Sequence, residues 1–245
     1  MSKRDRGQDR RERAAALVAE QRRRERRRRT AIIGGVGGVV VVLLAVAVFL
    51  GSRGDTSGES AGRVPGGVDD YTVSVGEEGA PTTITIYEDP QCPICGAFES
   101  QVADPVAEAV DAGDVRVDYR IVSFLDRAST NDYSSRAANA LLAVQDAAGP
   151  EAFAEMHRIL FENQPAEGGA GPEDAQLVDW AVEAGADEAE VRPLIEDKVF
   201  EQYVVNATDA MSKNGVTGTP TVLIDGQPAG ETPQESIEAV LGAVS

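Results

Sequence analysis

The sequence predicts an α/β fold in which a helical subdomain is inserted between a βαβ unit and a closing ββα unit, with one membrane-spanning helix ahead of both. Three observations predict it. A run of 20 apolar residues, Ala31 to Leu50, separates a basic N-terminal stretch from an acidic remainder. Alternating, β-branched segments occur before residue 126 and after residue 214, while the chain between them carries apolar residues at helical spacing. The only two cysteines, Cys92 and Cys95, fall where an alternating segment gives way to a helical one.

Charge orders the N-terminal part. Residues 1–30 hold 13 Lys/Arg against 5 Asp/Glu, leaving 10 against 36 for the rest of a chain whose net charge is −18. The apolar run would span about 30 Å as a helix, the thickness of a bilayer's hydrocarbon core. With "RRRERRRR" before it and little positive charge after it, the positive-inside rule keeps residues 1–30 in the cytoplasm as a basic tail and places the acidic remainder outside. A cleaved secretory signal is the alternative, but its apolar core is usually about 7 to 15 residues long; "RRRRTAII" also admits a twin-arginine signal. The expected partner of residues 31–50 is therefore the lipid bilayer. Topology accounts for the basic run, with anionic headgroups contributing, and no nucleic-acid partner is expected.

Residues 51–67 are rich in Gly and Ser and are expected to be a flexible linker. The folded domain is expected over 68–245, where the chain's 42% hydrophobic content suffices for one packed core. "YTVSV", Tyr71 to Val75, alternates as a strand does, and "TTITIYE" supplies a second strand of β-branched residues. Phe98, Val102, Val106 and Val110 then lie four apart on one helical face as far as about Ala112, with a kink expected at Pro105. "DVRVDYRIVSFL" returns as a strand, completing a unit with parallel strands and a right-handed crossover. Residues 126–214 are expected to hold several helices and no strand, interrupted by a loop at Asn163 to Asp174. Thr221 to Ile224 form a strand, Asp225 and Gly226 a tight turn, and Thr232 with Glu235 a capping box for the last helix.

Two cysteines spaced C-x-x-C allow three chemistries. A structural zinc site lacks ligands, since there is no second cysteine pair and His157 is the only histidine. A structural disulfide closing so short a loop removes little unfolded-state entropy. Redox exchange fits the context: Cys92 stands where a helix beginning at Pro93 opens, and unpaired N–H groups and the helix dipole would stabilise its thiolate. Pro93 suits a first helical turn because it has no N–H to satisfy. Cys95, one turn on, would be more buried and within reach of Cys92 for a reversible disulfide. No metal or other cofactor is expected.

The order "DPQCPIC" after a strand, a helical insertion, and "VTGTPTVLIDG" near the end resembles the membrane-tethered, extracytoplasmic DsbA-like thiol-disulfide oxidoreductases of the thioredoxin superfamily, over roughly residues 69–243. The resemblance implies a thioredoxin-like fold, with Cys92 as the attacking and attacked cysteine and Cys95 as the resolving one. It implies that Thr219 and Pro220 form a cis-proline loop beside the sulfurs, although only about 5–6% of X-Pro bonds in folded proteins are cis. Together with Pro93 and Ile94, this loop would bind an extended substrate peptide. The implied activity is insertion of disulfides into reduced secreted or cell-envelope proteins, with re-oxidation by a quinone-linked membrane oxidase of the DsbB or vitamin K epoxide reductase (VKOR) type. A reductase or isomerase of the same fold, and a tethered non-catalytic peptide-binding module, are the alternatives.

One position departs from the family. Many thioredoxin-like proteins carry a buried acid six positions before the first cysteine, where this chain has Ile86. Glu88 and Asp89 are the replacement candidates for proton acceptor, the plainer reading being that both are solvated at a strand end. The plainer reading of His157, beside Phe153 and Leu160, is a core-edge residue. Trp180 is expected to pack the helical block, and Asn206-Ala207-Thr208 to be a chance match to a glycosylation acceptor. Pro93 and Ile94 provide no basic side chain for the thiolate, which predicts a less acidic Cys92 and a weaker oxidant than the most oxidising relatives.

Overall fold

A computed structural model describes Thr56 and residues 58–245. The membrane-spanning expectation over 31–50 and the basic tail lie outside the described residues; among those described, no helix is long and apolar enough to cross a membrane.

The described residues form a mixed six-stranded sheet. Its strands are β1 (Val68–Asp69), β2 (Thr72–Val75) and β3 (Thr82–Glu88), then β4 (Val115–Ile121) after helix α1 (Pro93–Asp111), and finally β5 (Thr221–Ile224) and β6 (Gln227–Pro228). The spatial order is β1-β2-β4-β3-β5-β6. β3 and β4 are parallel, as a helical crossover between them requires, and the other pairings are antiparallel. The closing hairpin turns at Asp225 and Gly226, both with positive φ (50° and 76°). Such a turn matches the right-handed twist of the strands it joins.

Between β4 and β5 lie a short 3₁₀ turn (Asp126–Ala128) and the helices α2 (Tyr133–Ala148), α3 (Pro150–Glu162), α4 (Asp174–Glu183), α5 (Glu188–Glu196) and α6 (Glu201–Lys213). This is the expected strandless block. The last helix, α7 (Pro233–Ala243), opens with the predicted capping box between Thr232 and Glu235 and packs beside α1. α1 continues through Pro105 to Asp111 as one helix.

The strand period explains the core. Ile84 and Ile86 on β3 lie beside Val117 and Tyr119 on β4, all buried, with Phe98, Val102 and Val106 of α1 in the same core. Glu88 continues the phase of Ile84 and Ile86, so the pleat carries its carboxylate inward, beneath α1. Ile86 is an ordinary core residue. Trp180 is partly buried against the same core.

The segment before the domain is less free than its composition suggests. Asn206 on α6 accepts from Gly58 N–H (2.9 Å) and donates to the Glu59 carbonyl (2.8 Å). Asp146 accepts from Gly66 N–H (2.8 Å) and pairs with Arg63, and Gln145 donates to the Gly66 carbonyl. Side chains projecting from α2 and α6 supply partners for this backbone, which the Gly/Ser content alone does not reveal. Asn206 therefore has structural work unrelated to its Asn-x-Thr context.

Candidate active site

Cys92 is the N-cap of α1, and Pro93 occupies the first turn, where its missing N–H costs nothing. Cys92 is 6% exposed and Cys95 fully buried, and the two are unbridged thiols. Cys92 Sγ lies 3.4 Å from the carbonyl oxygen of Thr219, and the Thr219-Pro220 bond is cis. Pro93 and Ile94 are exposed beside it. Cys92, Cys95, Thr219, Pro220, Pro93 and Ile94 thus meet at the mouth of α1.

The two sulfurs differ sharply as acids. Cys92 is pulled down from 9.0 to about 6, first by a hydrogen bond from the Cys95 thiol, with burial opposing it. The Thr219 side chain and the N–H groups of Cys95 and Ile94 add to the lowering. At pH 7 such a group is roughly 90% thiolate, against roughly 1% at its ordinary value. No basic side chain takes part. Cys95 moves far up, first because burial disfavours its anion, then because its proton is held by Cys92 and because the Glu88 charge repels a second anion.

The turn before Cys92 is fixed by buried polar groups. Asp89, fully buried, accepts from Gln91 N–H (2.8 Å), Ser134 Oγ–H (2.7 Å) and Leu125 N–H (2.8 Å). Burial raises its pKa to about 6 against these three donors. Both oxygens being engaged, Asp89 ties β3, the segment after β4 and α2 together, and it is not the solvated strand-end charge that position suggested. From the loop at 163–173, Gln164 Nε2 donates to the carbonyls of Pro90 and Cys92, each at 3.0 Å. The buried Gln91 side chain reaches back to the Ala166 and Gly169 carbonyls of that loop. A Cβ at Gly96 would sit 2.4 Å from Gln164 Oε1, so the glycine makes room for this strap.

Behind Cys95 lies a second buried group. Glu88 is fully buried, not exposed as a strand-end charge usually is, and its Oε1 is 2.6 Å from His157 Nε2. His157 is 3% exposed and its ring packs against Tyr119 and Phe161, so it is a buried partner of Glu88 and not a core-edge residue. Burial lowers its pKa, but the charge and hydrogen bond of Glu88, helped by Glu99, outweigh that and raise it. Glu99, 5% exposed, follows Cys95 by one turn on the buried stripe of α1. Its pKa is pushed up, first by burial and then by Glu88. Glu88 Oε2 and Glu99 Oε1 have no hydrogen-bond partner.

Reasoning from sequence missed Glu99, Gln91 and Gln164 and misjudged the surroundings of Glu88 and His157. Glu88 was visible in principle, being in phase with Ile84 and Ile86, and so was Glu99, four residues after Cys95 and three before Val102. The two glutamines gave no local signal.

The thioredoxin family profile matches residues 69–243. Reduced DsbA from Mycobacterium tuberculosis is 31% identical, with the match covering 71% of this chain and 100% of that one at a TM-score of 0.59. The reduced disulfide bond oxidoreductase DsbG from the same organism is 34% identical, covering 71% and 88% at a TM-score of 0.60. The serine/threonine-protein kinase PknE of M. tuberculosis is 32% identical over 157 residues, of which this chain spans only 28% of the kinase's length. With both motifs in place on the expected sheet, and with a family match over residues 69–243, the chain belongs to the thioredoxin superfamily, as a DsbA-like member.

Proposed function

We propose that the protein is an extracytoplasmic thiol-disulfide oxidoreductase that introduces disulfides into translocated proteins through a reversible Cys92-Cys95 disulfide. The observation that carries this is the opposite acidity of two sulfurs one helical turn apart, beside the cis Thr219-Pro220 bond. Stabilising the Cys92 anion stabilises the reduced protein, which makes the oxidised form a stronger electron acceptor.

In the reaction a substrate thiolate attacks Cys92 Sγ and the Cys92–Cys95 bond breaks. Cys95 takes the electron pair and a proton. A second substrate thiolate attacks the substrate sulfur of the mixed disulfide, forming the substrate's disulfide and expelling Cys92 as the stabilised anion. Thr219 and Pro220, with Pro93 and Ile94, would hold the substrate as an extended strand by backbone pairing. Glu88 is the proton acceptor and donor for Cys95. Residues 31–50 would anchor the domain outside the membrane, where reduced secreted or cell-envelope proteins emerge. A quinone-linked oxidase of the DsbB or VKOR type would restore the disulfide.

Titration against glutathione, paired with oxidative refolding of a reduced protein substrate, tests the direction. A potential well above that of the glutathione pool and catalysed substrate oxidation are expected. A strongly reducing potential would instead identify a reductase or isomerase. A biological role that stays intact in Cys92→Ser, with turnover lost, would instead identify a tethered peptide-binding module.

A further inference from the structure

The far half of α1 carries a second apolar stripe that no element among the described residues covers. Ala103, Val106, Ala107 and Val110 follow one another at i, i+3, i+4 and i+7, and all four line a cleft of about 510 Å³. Pro150 and Ala154, one turn apart on α3, line it from the facing side, and Val75 lines it from the end of β2. Val106 belongs to the core, whereas Ala107 is exposed and Ala103, Val110 and Ala154 are half-buried. Glu99 and His157 line the cleft only at the end toward Cys92. At about 1.5 Å per residue, Ala107 stands about 22 Å along the helix from Cys92, so this stripe lies apart from the thiol site.

The rim is acidic on every side. Asp104 and Asp111 come from α1, Glu151 and Glu155 from α3, and Glu77 from the turn after β2. Arg158, the only Lys or Arg in the lining, is engaged by Glu155 and Glu162. Among the described residues, Glu77, Asp104, Asp111 and Glu151 are exposed and their carboxylates have no hydrogen-bonding or ionic partner. These acids do not converge on a point: the one described group close enough to share a metal ion contains none of them. Negative charge spread around an apolar floor suits an elongated cation with apolar side chains between its charges. Anionic lipid headgroups, or a second copy of a chain with 36 acidic against 10 basic residues after residue 30, would meet like charge there.

We propose that the cleft between α1 and α3 is a docking site for a cationic, amphipathic segment of a partner polypeptide. The apolar side chains of that segment rest on the Ala103–Val110 stripe, and its Lys and Arg heads meet Glu77, Asp104, Asp111 and Glu151. The binding itself does not depend on the oxidoreductase reading. On that reading, a client whose cysteine follows the docked segment on a linker long enough to span about 22 Å is concentrated at Cys92 without any added contact there.

The test titrates the full-length protein, in zwitterionic nanodiscs, with a dye-labelled Lys/Leu peptide of about 15 residues whose Leu stand at i, i+3, i+4 and i+7, empty nanodiscs serving as the blank. Saturable one-to-one binding is expected, tighter at low ionic strength than at about 0.15 M. Asp104→Lys combined with Glu151→Lys should weaken it by about 10-fold or more, because two attractions become repulsions. Asp179→Lys combined with Glu183→Lys makes the same charge change at exposed positions of α4 outside the cleft, and should alter binding by less than about 2-fold. A peptide with Ser in place of Leu should bind about 10-fold more weakly. Equal weakening by the two charge-reversed pairs, or full affinity of the Ser peptide, would reduce the cleft to part of a diffuse negative field and overturn the proposal. Failure to saturate would overturn it as well. Self-association that the Asp104→Lys, Glu151→Lys protein loses would assign the cleft to a second copy, against the proposal. Turnover that persists in Cys92→Ser would count against the oxidoreductase reading alone and leave the titration standing.

Discussion

The front and the back of helix α1 treat two chemically identical thiols in opposite ways. At the front, Cys92 ends a turn where backbone N–H groups, Thr219 and the Cys95 thiol all donate toward it. At the back, Cys95 has a hydrocarbon core on one side and the Glu88 carboxylate on the other. Three residues of sequence separate an anion favoured at neutral pH from one disfavoured at any ordinary pH. The difference shows that the spacing supplies both reach and the strongest local donor, the Cys95 thiol, while burial, Glu88 at the end of β3 and the distant cis-proline loop widen the contrast.

The comparison breaks completely if the front sulfur is removed. Cys92→Ser is expected to reduce dithiol-disulfide turnover to the uncatalysed background while the far-ultraviolet circular dichroism stays native. Redox state gives the next largest effect. Because Cys92 ionises near 6 when folded and near 9.0 when unfolded, the reduced protein gains stability over the oxidised one as pH rises through that window. The gain is about 1.4 kcal/mol at pH 7 and approaches about 4 kcal/mol by pH 9, and it is lost as pH falls through 6. Denaturant unfolding of both forms across pH measures it; a gap that does not widen with pH would contradict the front-side assignment.

Cys95→Ala removes the largest single cause of the low Cys92 pKa. The midpoint for Cys92 alkylation should therefore move upward, and mixed disulfides should accumulate for want of a resolving thiol. A midpoint that stays near 6 would transfer the credit to the helix terminus and Thr219. Gln164→Ala unties the strap on the Pro90 and Cys92 carbonyls and should cost about 1–3 kcal/mol, with a measurable change in reduction potential. Smallest is Thr232→Ala, at the cap of α7, expected to cost about 1 kcal/mol and to leave the potential unaltered. A change of potential there would mean that the two sides of α1 are not set locally.

Much of the fold was legible because its signals are local. The alternation of "TTITIYE", the fourfold spacing of Phe98, Val102 and Val106, the Asp225-Gly226 turn and the Thr232/Glu235 capping box each specify an element within a few residues. The C-x-x-C pair at a helix mouth was legible on the same grounds, and the cis bond at Pro220 through family resemblance. What stayed hidden depends on pairs far apart in the chain. Burial of Glu88 looks improbable until His157, 69 residues later, is brought against it. Asp89 looks like a solvated turn residue until Ser134 and Leu125 arrive. Residues 58–66 read as a tether because the side chains that hold them, on α2 and α6, lie about 80 to 150 positions away.

The double hydrogen bond from Gln164 joins the helical block to the very peptide unit that carries the reactive thiol. A shift of the loop at 163–173, whether from a docking client or from a change in its length, would reach Cys92 as the withdrawal of a donor from its own carbonyl. The insertion is thus a lever on the chemistry as well as a wall of the molecule, and specificity and oxidising strength can be adjusted together from a segment that touches no sulfur.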